Sequence, residues 1–344
     1  MKVKTVTIIL FLLSLSIHAQ EFKTPVDYLS YMGKEQDNTT KSMWKYTLAV
    51  AHSKNARKID NTRKQLIKSI QTASKKISTL KDGYKGDVEY RNKVVDFLSI
   101  SEKSINEEYD KIIDMQEVAE QSYDAMEAYI MMRDKVNEKI DSEFQKVNLA
   151  QKEFALKYHI TLNEDTSEIG KKMKISNEVF DYHTQLYLLF FKANITDLNL
   201  SAAIEKKDIG TIQQNNNALT QYAEEGLEKL KTLKPFGGDN TMVIATKKAL
   251  EYYKKQSLQY TPKVLEFLMF NEKFEAAKKS LESKTDKDRT KEEIDNYNTM
   301  VKQVNKEIDN YNKLNNSFFQ EKNTAIDSWN MTGENFISSH VPAD

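Results

Sequence analysis

Apolar residues recur along this chain at steps of three and four almost from end to end. From residue 118 the run reads Val118, Ser122, Ala125, Tyr129, Met132, Val136, Ile140, Phe144, Val147, Ala150 and Phe154. Such steps bring side chains onto one face of a helix, so the run predicts a single helix about 55 Å long at 1.5 Å per residue. Nearer the end, Ile294, Tyr297, Val301, Val304, Ile308, Tyr311, Asn315 and Phe318 alternate three and four strictly. That narrow stripe is the seam of a coiled coil or a long helical hairpin. Asn315 is its one polar member.

Breakers fall where the periodicity stops. Thr24-Pro25 and Thr261-Pro262 each offer an N-cap followed by Pro at the first helical position. KDGYKGD (81–87) and KPFGGDN (234–240) read as loops, and TLNEDTSEIGKK (161–172) as a polar joint. The chain of 344 residues holds only 9 Gly and 4 Pro, too few for an all-β fold with a turn every ~10 residues. The pattern predicts helices over 25–53, 57–80, 87–109 and 110–158, then over 178–206, 211–233, 241–260 and 262–332.

The two sets resemble each other. Val26-Asp27-Tyr28 matches Phe180-Asp181-Tyr182, and Leu80-Lys81 matches Leu233-Lys234. Tyr109 matches Tyr260, and Tyr123-Asp124-Ala125 matches Phe274-Glu275-Ala276. Val136-Asn137 and Ile140-Asp141 match Val304-Asn305 and Ile308-Asp309 after an insertion that coincides with ESKTDKDRTKEE (282–293). The expected fold is all-α: two tandem, duplicated up-down four-helix-bundle-like units with long helices, elongated. The expected organisation is a signal peptide at 1–20, a first repeat at 21–160, a linker at 161–177 and a second repeat at 178–338.

The signal peptide follows from Lys2 and Lys4, the apolar run Val6 to Ile17, and small Ala19 before Gln20. That run falls short of the ~20 residues a bilayer core needs, so an exported chain without a stable membrane span is expected. Leu186 to Phe191 and Phe267 to Phe270 are also too short to span and read as bundle core. They leave a membrane-active, toxin-like reading as the least favoured. Zero Cys removes disulfides, thiolate metal sites and Cys nucleophiles, and Lys+Arg 51 against Asp+Glu 51 gives no footing for nucleic acid.

Catalytic and metal motifs are missing. The chain has no Glu-x-x-His pair, no His-x-x-x-His, no Gly-x-Ser-x-Gly and no phosphate-cradling Gly loop. His183 and Asp197 share a helix but stand about 21 Å apart along it, too far to share a metal. Paired carboxylates such as Glu224/Glu225 and Glu292/Glu293 read as solvated helix faces. No cofactor is expected. The remaining lead is a buried polar layer of Gln36, Thr40, His183, Asn194 and Asp197, since polar groups on inner faces need partners, a wet cavity or a ligand.

Pro25-Val26-Asp27-Tyr28, followed by Glu35-Gln36 at the opening of the mature chain, resembles an exported all-helical surface-protein family of unknown function, of the leptospiral type. The resemblance implies envelope or surface placement and supplies no catalytic residues. The expected role is that of a noncatalytic structural or interaction protein, working with an unknown protein partner or by self-association. A helical sensor or carrier of a small molecule is the alternative.

Overall fold

The computed structural model describes residues 22–119, 122–163 and 167–343, and the side chains of these except 107–121. The expected export signal at 1–20 lies outside them. Helices follow one another as α1 (Pro25–His52), α2 (Ala56–Ser78), α3 (Glu89–Ala119), α4 (Tyr123–Lys157), α5 (Glu168–Glu205), α6 (Ile209–Leu230) and α7 (Thr241–Lys255). One π-helical turn (Gln256–Tyr260) then leads into α8 (Thr261–Glu282), and α9 (Lys291–His340) closes the order. The fold is all-α, with no strand among the described residues.

Short polar side chains start these helices by satisfying amides that have no carbonyl partner. Thr24 Oγ1 accepts from the Asp27 amide at 3.1 Å while Asp27 accepts from the Thr24 amide at 3.0 Å. Thr290 and Glu293 cap α9 in the same reciprocal way. Glu293, hydrogen-bonded to Lys284 and to the Thr290 amide, is held down to about 2. Ser167 caps α5 through the Gly170 amide at 3.2 Å. The expected linker at 161–177 is therefore too long: α5 is already wound from Glu168.

The long helix predicted from Val118 is also divided. Ser122 Oγ accepts from the Ala125 amide at 3.1 Å, so α4 begins afresh at Tyr123. Val118 itself lies among the side chains not described. At the other joint the reverse happens. Thr261-Pro262 was expected to open a new helix, yet the chain winds straight through. Proline has no amide to give a carbonyl one turn back, and the wider turn at 256–260 absorbs that loss.

The chain divides into two compact units. The first takes the described residues through Tyr46, then Asp60–Glu108 and those from Lys135 to 163. Each of its four helices feeds one core: Tyr28 and Met32 from α1, Leu66, Ile70 and Ile77 from α2, Tyr90, Val94 and Leu98 from α3, Val147 and Phe154 from α4. The spacing of Val26, Leu29, Met32, Met43, Thr47 and Val50 puts them on one stripe of α1, but Val26 and Val50 are exposed. Leu29 and Met32 hold the inner face as expected, joined by Tyr28, which the aromatic cluster described next draws in.

The second unit holds Thr47–Ile59, the described part of Tyr109–Asp134 and everything described from Ser167 onward. The helix ends at 47–59 and 109–134 thus leave the 21–160 repeat to which the sequence pattern assigned them. The reason is packing: Ala51 is buried with the α5 and α9 core, and Met126 and Ile130 pack on Phe191 and Ile195. Leu186, Phe190 and Phe191 are core residues, as expected of that apolar segment.

The two Gly-containing loops share one geometry. Tyr84 and Asp87 exchange backbone hydrogen bonds of 3.0 and 2.9 Å, and Phe236 and Asp239 exchange bonds of 3.1 and 2.8 Å. Between them Lys85-Gly86 and Gly237-Gly238 all have positive φ, a tight reversal open to few residue types. Gly83 is fixed as well, because a Cβ there would lie 1.9 Å from the Asp87 carbonyl oxygen. Each turn feeds one aromatic into a cluster. Tyr84 meets Tyr28, Phe154 and Tyr158, and Phe236 meets Tyr182, Phe336 and His340.

The length difference between the units is not a simple insertion. The loop expected near 282–293 does separate α8 from α9. Extra helix, however, stands on both sides of it: α9 runs 50 residues against 35 for α4. Phe274 accordingly sits before its loop, within α8, whereas its proposed match Tyr123 is the first residue of α4. An antiparallel hairpin can grow only if both arms grow.

Candidate functional site

The expected polar layer separates between the units. In the first, Gln36 Nε2 donates to the Tyr90 hydroxyl at 2.9 Å and to the Met32 carbonyl at 3.3 Å. Thr40 Oγ1 donates back to the Gln36 carbonyl at 3.1 Å. Both residues are half-buried. A more enclosed polar group beside them is Glu35, which accepts from Lys76 at 2.8 and 3.0 Å.

In the second unit the layer is deeper and centres on Asp197, which is 0% exposed. Gln256 Nε2 donates to its Oδ1, and the Lys322 ammonium pairs with its Oδ2. The Lys322 side chain is 19% exposed, so the charge pair reaches solvent at one end only. Tyr253 donates to Asn194 Oδ1 at 2.8 Å, and Tyr260 donates to Asn315 Oδ1 at 2.8 Å. Asn315, the polar member of the seam, thus ties α9 to the π-turn. Burial drives the Tyr252, Tyr253 and Tyr260 hydroxyls upward, with the Asp197 charge adding to each. These phenols therefore stay protonated donors. Gln256 Oε1 is buried without a hydrogen-bond partner.

His183 stands apart from this layer. Its ring lies 5.7 Å from the Trp329 ring, and a Cβ on Gly333 would come within 2.8 Å of its Nε2. Burial alone lowers its pKa to about 4, so the imidazole is neutral at ordinary pH. Another histidine, His340, pairs with Asp239 at 2.8 Å. Burial pushes the Asp239 carboxyl up, but its bonds to His340 and Thr241 outweigh that and hold it below the usual range.

Two concavities flank these elements. A shallow groove of about 550 Å³ lies between α6 and the π-turn, bordered by Asn216, Gln221, Glu224, Ser257, Leu258 and Pro262. Glu224 there pairs with Lys254 at 2.8 Å, and Glu225 with Lys192 at 3.4 Å. A more enclosed furrow of about 480 Å³ lies between α8 and α9. The Phe267 and Tyr311 rings stack in it at 4.6 Å and 15°.

The furrow belongs to a thinly covered hairpin. From Met269 to the end of α8 no residue is buried, and α9 before Phe318 buries only Val304. Tyr297 and Tyr311 stack on Phe274 and Phe267, so the seam closes against α8. Ile294 and Ile308 do not join it; each is 39% exposed. One partner helix covers one side of the stripe, and these two isoleucines stand on its flank.

Sequence reasoning reached Asn194, Asp197 and Asn315. It missed Gln256, Lys322 and Glu35, whose partners lie far away in sequence. The unbroken apolar period across Thr261-Pro262 was the available sign of an irregular turn there. Among the described residues no group of three His, Asp, Glu or Cys could hold a metal, and no helix is long and apolar enough to cross a membrane. No family model, no curated protein and no solved structure matches this chain.

Proposed function

We propose that this chain is an exported, noncatalytic helical protein of the cell envelope or surface, acting through protein contacts. The uncovered α8–α9 hairpin carries the reading. It keeps Met269, Ile294 and Ile308 in solvent at 46%, 39% and 39% exposure, where burial of each would favour association by on the order of 1 kcal/mol or more. The polar layer fits the same reading, because the Asp197 charge is matched by Lys322 and the nearby phenols stay protonated. Such a layer fixes helix register. The basic start and short apolar run of residues 1–20, with the resemblance in Pro25 to Tyr28, favour export.

A photo-crosslinking side chain at position 308, in cells expressing the chain from Met1, tests the reading. It should trap one defined envelope protein, or a second copy, outside the inner membrane, and a probe at Lys287 should not. Equal labelling from both positions, or a chain retained in the cytoplasm with residues 1–20 uncleaved, would reject it. A second reading, a helical sensor or carrier of a small molecule, draws on the furrow between α8 and α9.

A further inference from the structure

We infer that the α8–α9 furrow binds a small alkylated ammonium cation, an inference that rests on the sensor or carrier reading and not on the protein-contact reading. The volume of about 480 Å³ falls within the range of small-molecule sites, roughly 300–1,000 Å³. Its floor is aromatic and aliphatic: the stacked Phe267 and Tyr311, with Phe270 and Leu314. Phe270 is half-buried and makes no ring–ring or cation–ring contact among the described residues.

The charges around that floor do not cancel. Lys263 is the one basic lining residue; it pairs with Glu266 at 2.8 Å, and its charge also acts on Glu307. One cation against two carboxylates leaves the lining one negative charge in excess. Glu307 is half-buried, forms no ion pair among the described residues, and receives only a long bond of 3.5 Å from the Asn310 amide. A cation would be drawn both by this carboxylate and by the negative faces of the rings. An anion would meet Glu307 directly, and a neutral apolar guest would desolvate it without compensation. Hard metal cations need several oxygens at once, and here a lysine already stands beside the two lining carboxylates. An alkylated ammonium suits both halves of the furrow, since its methyl groups pack on rings while its charge faces the carboxylate.

The test titrates the mature full-length chain with choline and, separately, with 3,3-dimethylbutan-1-ol, which has the same shape and no charge. Calorimetry should show choline binding at least about tenfold more tightly than the alcohol. Glu307→Gln should weaken choline about tenfold and leave the alcohol unchanged, while Phe270→Ala should weaken both. Equal affinities for the two probes would overturn the cation inference and leave the carrier reading standing. Absence of choline binding at about 10 mM, a free energy of roughly −3 kcal/mol, would also overturn it. So would Glu307→Gln with unchanged choline affinity. Should Phe270→Ala reduce helicity by circular dichroism, Glu307→Gln, which keeps the side chain's size and removes only its charge, decides alone.

Discussion

The two units build the same corner and furnish it differently. In each, a tight turn presses an aromatic against a buried Tyr, Tyr28 near the start of α1 or Tyr182 about four turns into α5, and against a Phe of a closing helix, Phe154 or Phe336. The turn aspartate then meets different partners: Lys157 and Tyr158 for Asp87, His340 for Asp239. One residue past each buried Tyr the contrast sharpens, with Leu29 in α1 and His183 in α5. The shared residues are those that pack. The residues that differ carry charge in both units, and the two histidines among them, His183 and His340, stand in the second.

Each unit carries its own reporter, buried Trp44 in the first and Trp329 in the second, so single-Trp variants can follow the units separately during urea unfolding. The largest effects should be equal. Phe154→Ala and Phe336→Ala should each cost their unit about 4 kcal/mol, as large aromatic deletions in a packed core do. A marked inequality would break the parallel between the corners.

The next effect should be one-sided. Lys322→Ala strands the Asp197 carboxylate in the core and should cost the second unit about 3 kcal/mol. Lys76→Ala should shift the first unit less, because the Lys76 side chain is 48% exposed and its removal opens a path for water to the 6% exposed Glu35 carboxylate.

Acid should also separate the units. His183 is lowered from 6.5 to about 4 by burial, so below pH 6.5 the unfolded chain takes up a proton that the folded chain refuses. Stability of the second unit should fall between pH 6.5 and 4, by up to about 3 kcal/mol. His183→Leu, copying Leu29, should flatten that slope in the Trp329 signal. A slope that survives the substitution would assign the acid response to another group. The smallest effects should again be equal: Thr24→Ala and Thr290→Ala each remove a reciprocal cap worth about 1 kcal/mol, read as a loss of thermal midpoint.

Much of this plan was legible in the residue pattern. The helices, the two Gly turns and the Tyr28–Tyr182 correspondence follow from local rules of period, capping and backbone freedom. Asn194 and Asp197 were legible as inner-face residues because an interruption in an apolar stripe is itself local. Their partners were not, since Gln256 and Lys322 meet Asp197 only once three helices are packed. The exposure of Ile294 and Ile308 was hidden for a related reason. A heptad stripe announces that a helix has a partner, without saying how many. The break at Ser122 inside the long stripe was masked because small polar residues pass on a helix face as easily as they begin a helix.

The wide turn at 256–260 has a reach beyond its own five residues. One surplus residue in an otherwise regular helix rotates everything after it by about 100°. Without that surplus, Phe267 and Phe270 would face a quarter-turn away from Tyr311. The bearing of α8 is therefore set upstream, in the stretch that also supplies Gln256 to the core. A single-residue deletion there would turn the hairpin's aromatic side elsewhere while every side chain that lines it remained unaltered.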